Sequence, residues 1–141
     1  MLRRVVLDIN VLVAGLWSRK GASFRLLDQA RRGRVEPALS VPLVLEYEMV
    51  LKRRARELSL APPDIDAILD WVCTIGHHQR IPLLWRAILR DPRDELVLEL
   101  ALAAGCRPIV TFNARDFGGA ERLGVEIITP AEALRQMGEF R

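Results

Sequence analysis

The chain predicts an α/β domain: a central parallel sheet covered by helices on both faces, a three-layer α/β/α sandwich. Short apolar runs recur along it, at Val5-Val6-Leu7, Pro108-Ile109-Val110-Thr111-Phe112 and Val125-Glu126-Ile127-Ile128. They are too short for helices and typical of strands buried on both faces. Between them lie longer stretches with apolar residues at helical spacing. Strands that alternate with helices imply parallel crossovers.

The first strand, Val5 to Leu7, stops on Asp8, with Asn10 two residues later. Val11 to Trp17 follows as a short helix, then a turn at Ser18-Arg19-Lys20-Gly21. Ala22 to Arg32 is a second helix, with Phe24, Leu27 and Ala30 on one face and Gly33 ending it. Glu36 to Ser40 is a second strand that Pro37, lacking an N–H, demotes. Val41 to Leu60 is the longest helical pattern, capped by Ser40, with Pro42 tolerated in the first turn and Leu43, Tyr47, Val50, Leu51 and Leu58 in its stripe. Ala61-Pro62-Pro63 breaks the chain before an amphipathic helix from Asp64 to Thr74. His77-His78-Gln79-Arg80 leads into an edge strand at Ile81-Pro82-Leu83-Leu84. Neighbouring histidines face opposite ways on a strand and diverge on a helix, which favours a surface or turn role over a metal-ligand role. Asp91 as cap and Pro92 at the first position open a helix to Gly105. Thr129-Pro130-Ala131-Glu132 is a capping box for a last helix to Met137.

At 141 residues the chain suits one domain with one core, taken as residues 1–141 without linker or repeat. No apolar run nears the ~18–20 residues needed to cross a bilayer. Asp8 and Asn10 interrupt the apolar start, so no signal peptide is expected and the cytoplasm is the default location. Cys73 and Cys106 sit in apolar contexts without a CxxC partner, and are expected to be buried structural thiols. The net charge of +3 is carried almost entirely by arginine, which suits phosphate contacts and slightly favours a nucleic-acid substrate.

Four segments place acidic or amide groups at comparable ends of elements: Asp8 with Asn10, Glu46, Asp94, and Asn113 with Asp116. Asp8 at a strand's carboxyl end lies where α/β sheets bind ligands, although an Asp there can also simply cap the next helix. Glu46 shares the apolar face of its helix with Leu43 and Val50, whereas Glu48 points elsewhere and can pair with Lys52. A carboxylate aimed at an interior needs a reason. Asp94 can be read as a helix-start acid, Asp116 as a turn residue and Asp91 as a cap, but caps do not explain Glu46. Converging carboxylates repel one another and need a cation, and oxygen-only ligands select Mg²⁺ or Mn²⁺ over zinc. One or two such ions held by carboxylates are the apparatus for phosphodiester hydrolysis.

The same residues carry a resemblance. Val6-Leu7-Asp8-Ile9-Asn10-Val11-Leu12-Val13, Ser40 to Glu48, Asp91-Pro92-Arg93-Asp94 running to Gly105, and Ile109 to Phe117 resemble the PIN-domain family, and within it the toxins of VapBC-type toxin–antitoxin pairs. The resemblance implies a PIN-like fold and a Mg²⁺- or Mn²⁺-dependent endoribonuclease that leaves a 5′ phosphate. It implies a metal-binding quartet of Asp8, Glu46, Asp94 and Asp116 or Asn113, with Asn10 orienting Asp8 or its water and Thr111 supporting the last acidic loop. It further implies RNA as substrate, a cognate antitoxin protein as partner and a homodimer. Ile9 stands where the family commonly has a hydroxyl residue, and Asn113 where many members have Asp, which bears on whether one ion or two are held. Arg19, Arg93 and Arg115 are candidate backbone contacts, and Trp17 a candidate antitoxin contact.

Three other readings compete. A phosphotransferase of the haloacid-dehalogenase type wants a second acid two residues after Asp8, where Asn10 stands, and a late Lys, of which none follows Lys52. A catalytically weak or inactive module of the same fold that binds RNA or protein is kept open by Ile9 and Asn113. A housekeeping RNA-processing nuclease is not separable from a toxin by sequence.

Overall fold

A computed structural model describes residues 2–81 and 91–138. Five parallel strands form one sheet in the order β3-β2-β1-β4-β5. They are β1 (Arg4–Leu7), β2 (Glu36–Leu39), β3 (His77–His78), β4 (Ile109–Val110) and β5 (Ile127–Ile128). Six helices alternate with them: α1 (Ile9–Trp17), α2 (Ala22–Arg31), α3 (Val41–Arg53), α4 (Pro62–Ile75), α5 (Pro92–Ala103) and α6 (Pro130–Gln136). The predicted α/β/α layering is what the chain adopts. The centre of the core is Val5, Val6, Leu39, Leu98, Leu100, Ile109 and Val110, all essentially without solvent contact.

The second strand forms where the sequence places it, and the structure differs from the sequence reading in three other places. Pro37 is tolerated although β2 lies inside the sheet, between β1 and β3. Glu36 donates its N–H to Arg3 (2.8 Å), so the alternation of a parallel strand points position 37 toward β3. Pairing with β3 begins only at Ala38 and His77, and the missing N–H falls before it. The long helix ends at Arg53 rather than Leu60, passing into turns that include Ser59 at φ 55°. The edge strand is His77–His78 itself; Pro82 to Leu84 lie outside the described residues. The thiols are not both buried, since Cys73 is half-buried and Cys106 exposed in the turn after α5.

Local chemistry accounts for the ends of the elements. Gly33, at φ 76°, closes α2: it donates to Ala30 while Arg34 donates to Gln29, both at 3.0 Å, the paired bonds of a Schellman motif. Gly15 lets α1 and α2 meet, since a Cβ there would stand 2.3 Å from Leu27 Cδ1. Among the described residues no helix is long and apolar enough to cross a membrane.

Candidate active site

The chain turns from β1 to β2 on one side and places β4 on the other, so the β1–β4 boundary is the switch point of the sheet. Ligands of open α/β sheets bind there, beyond the carboxyl ends of the strands. Leu7 pairs with Val110, and Asp8 donates its N–H to Val110 (3.0 Å), which sets Asp8 beside Thr111 at the top of adjacent strands.

Asp8 is both a cap and a site residue. One carboxylate oxygen accepts from Ile9 N–H (2.9 Å) at the start of α1. The other accepts from Thr111 Oγ1 (2.7 Å) and from Asn10 Nδ2 (3.3 Å). Thr111 Oγ1 also accepts from Asn10 Nδ2 (3.2 Å) and from Asn113 N–H (3.0 Å). Asn10 and Thr111 therefore hold Asp8, and Thr111 also anchors the loop after β4. Burial, with 8% of Asp8 exposed, pushes its carboxyl above the ordinary range. The Thr111 and Ile9 hydrogen bonds oppose this, and the charges of Asp116 and Asp91 add to it.

Three other elements bring acids to the same cleft, a cavity of about 270 Å³ lined by Asp8, Asn10, Glu46, Asp94, Asn113 and Asp116 among others. Glu46 comes from α3, is 7% exposed, and its Oε1 is buried without a hydrogen-bond partner. Glu48, two residues on, pairs with Lys52 at 3.2 Å on the outer face. Asp94 comes from the first turn of α5. Burial first, and then the charges of Asp91, Asp116 and Asp8, push its carboxyl up to about 6, against a smaller pull from Arg93. Asn113 and Asp116 stand exposed at the short 3₁₀ turn Ala114–Phe117. Asp91 caps α5 through Arg93 N–H (2.9 Å) and also lines the cleft.

Some of the site was not anticipated. Tyr47, next to Glu46, donates its hydroxyl to the Leu7 carbonyl and ties α3 to the end of β1. Arg53 and Arg54 line the cleft with Arg93, whereas Arg19 and Arg115 do not. The signal for Arg53 and Arg54 was in the sequence, because seven and eight residues from Glu46 lie on the same helix face. Arg93 pairs with Asp91 (3.3 Å) and Arg54 with Glu57 (2.9 Å). Arg53 has no ion pair among the described residues.

Carboxylates that raise one another's proton affinity will equally take a cation, and an all-oxygen donor set with an unpartnered buried Glu46 oxygen fits a hard divalent ion. Among the described residues no three acidic, His or Cys side chains stand close enough to hold one ion as they are arranged. Glu46, Asp94 and Asp116 accept no hydrogen bond from a described side chain. The histidines are elsewhere, His77 at 3.3 Å from Gln79 and His78 at 2.8 Å from the Cys73 carbonyl.

No curated protein matches the chain. The PIN domain family model matches residues 4–115, a span that takes in Asp8, Glu46, Asp94 and Asn113 and stops one residue short of Asp116. With that match over most of its length, and with the acids it covers gathered at the switch point of a five-stranded parallel sheet, the chain belongs to the PIN domain family.

Proposed function

We propose that this protein is a metal-dependent endoribonuclease, with Asp8, Glu46, Asp94 and Asp116 as its acidic quartet and Asn113 at its edge. PIN domains are typically metal-dependent nucleases. The observation that carries the reading here is Glu46: its Oε1 is buried with no hydrogen-bond partner among the described residues and faces a cleft of other carboxylates, where Arg93 is the nearest charge to answer it and a divalent cation would satisfy it. Mg²⁺ or Mn²⁺, one ion or two, supplies there an activated water and charge to stabilise the leaving oxygen. Asp8, fixed by Thr111 and Asn10, sets the position from which water attacks phosphorus in line. Asp94 and Asp116 close the opposite side, and Arg53 binds the RNA backbone at the mouth. Attack by water with departure of the 3′ oxygen leaves the phosphate on the 5′ end of the downstream fragment.

The motif resemblance extends the proposal to a toxin of a toxin–antitoxin pair, working in the cytoplasm as a homodimer with an antitoxin protein as partner. Cleavage of a mixed RNA pool with Mg²⁺, Mn²⁺ or EDTA, comparing wild type with Asp8→Ala and Asp94→Ala, tests the nuclease. Activity that needs the metal and both aspartates supports it. An inert protein whose melting temperature no metal shifts supports the second reading, an RNA- or protein-binding module. Ile9 in the cleft wall and an amide at Asn113 favour that alternative.

A further inference from the structure

Beside the acidic cleft lies a second, larger one, a cavity of about 520 Å³ lined by Asn10, Val13, Ala14, Trp17, Ser18, Gly21, Ala22, Ser23, Arg54 and Phe112. Asn10, Val13 and Arg54 line both, so the two clefts adjoin. Two aromatic side chains stand in the wall of the second, Trp17 at 64% exposure from the end of α1 and Phe112 at 51% from the residue after Thr111. Both are large apolar groups left in water beside one cavity, although the core had room for Phe117 and Tyr47. The wall also contains Ser23, which is 2% exposed and whose hydroxyl is buried without a partner. An apolar cavity with aromatic walls and a few polar groups is the usual form of a site for a flat organic ring.

We infer that this second cleft seats an unpaired base of the RNA substrate next to the phosphate that is cut, with Trp17 and Phe112 as its stacking platform. The inference rests on the nuclease reading and adds to it a base subsite beside the cut phosphate and the two residues that form it. Three observations favour a base as the occupant. The two clefts adjoin through Asn10, Val13 and Arg54, so a strand whose phosphate lies at Asp8 has its neighbouring nucleoside within reach of the second. Phe112 is placed by the catalytic network itself, because its N–H donates to Asn10 Oδ1 (3.4 Å) while Asn10 Nδ2 donates to Asp8. Arg54 spans both clefts and sets a cation between the acids and the aromatic wall, where a backbone phosphate passes. A base inside a duplex cannot reach such a platform, whereas unstacked bases of single strands routinely use one.

The test is binding of a fluorescein-labelled single-stranded RNA of roughly eight nucleotides, in EDTA so that nothing is cut, to wild type, Trp17→Ala, Phe112→Ala, Trp17→Phe and Phe112→Tyr. Stacking is worth about 1–3 kcal/mol per base, so each alanine variant is expected to bind about 5- to 100-fold more weakly. The two aromatic variants are expected to stay within about threefold of wild type, because every aromatic ring offers a face. Both residues are exposed, so truncation leaves the core intact, and an unchanged melting temperature verifies this. The same RNA annealed to its complement is expected to bind all five proteins alike. Alanine variants that bind single-stranded RNA as wild type does overturn the inference, and a cleft that serves a protein partner gives that result. The nuclease reading stands apart, because it fails only if wild type also cuts no RNA with Mg²⁺ or Mn²⁺.

Discussion

Two halves of one cleft are built on opposite principles. On the sheet side Asp8 is fixed by Thr111, Asn10 and Ile9, so its carboxylate has one orientation before anything binds. On the helix side Asp94 accepts no hydrogen bond from a described side chain, and burial first, then the like charges of Asp91, Asp116 and Asp8, push its carboxyl up to about 6. The first half has its geometry in advance, and the second stores repulsion that a cation relieves. Precise placement and strong cation attraction are hard to obtain from the same carboxylate, because the hydrogen bonds that fix it also satisfy its charge. The cleft divides the two tasks between strand ends and a helix start.

The largest effect is expected where the fixed half is loosened. Thr111→Val removes the 2.7 Å bond to Asp8 and the acceptor for Asn113 N–H while keeping the shape of the side chain. RNA cleavage is expected to fall about 10- to 100-fold, the usual cost of losing a group that orients a ligand. Stability is expected to fall by about 1–3 kcal/mol, since a buried acceptor loses its donor. Thr111→Ser restores the hydroxyl and is expected to recover most of the rate. Should Thr111→Val cut RNA like wild type, Asp8 is not held by that bond in the working state, and the contrast between the halves disappears.

The two halves also differ in how legible they were in the sequence. Asp8 was readable because a buried strand ending on an acid has few interpretations, and capping α1 leaves it in the cleft: one carboxylate oxygen accepts from Ile9 and the other from Thr111. Glu46 was readable from helical spacing alone. The hydroxyl bond of Tyr47 to Leu7 was not, because it joins residues 40 apart and periodicity records only that Tyr47 faces inward. Arg19 and Arg115 were proposed for the mouth from proximity in sequence to its loops, whereas helix geometry gave Arg53 and Arg54. The strand at Pro37 was read rightly but its place inside the sheet was not legible, because a single sequence shows the missing donor but not which side of the strand it falls on. The end of α3 was misjudged because Arg54 to Leu60 keep turn-like local bonds without continuing the helix.

A smaller effect is expected at Glu46, on the helix side of the cleft, whose Oε1 is buried without a hydrogen-bond partner among the described residues. Glu46→Leu replaces a buried, unsatisfied group with an apolar one of similar size, so metal-free stability is expected to rise by about 1–2 kcal/mol in chemical denaturation. The gain in melting temperature on adding Mg²⁺ is expected to shrink in the same variant. A metal-free protein destabilised by Glu46→Leu would show that the oxygen has a partner the cleft already supplies, and the argument for a cation there would lose its main support.

The smallest effect isolates Asp94. Its carboxyl stands at about 6 against an ordinary 3.8, so at intermediate pH the folded protein keeps a proton that the unfolded chain has released. Stability from this group is therefore complete below pH 3.8 and is lost as pH rises toward about 6, the reverse of a salt-bridged aspartate. Because Asp94 is partly open to solvent, the loss is discounted to ~1 kcal/mol or less, a few degrees in melting temperature. Metal-free wild type and Asp94→Asn are expected to melt together near pH 4 and to separate by pH 7, with the variant the more stable. Asp91→Asn, which keeps the cap and removes one repelling charge, is expected to move the protein part of the way in the same direction. Mg²⁺ should close the gap from the other side by stabilising wild type and not Asp94→Asn. If the two proteins keep a constant difference across this pH range, Asp94 is not under repulsion in the folded state, and the helix side of the cleft is as relaxed as the sheet side.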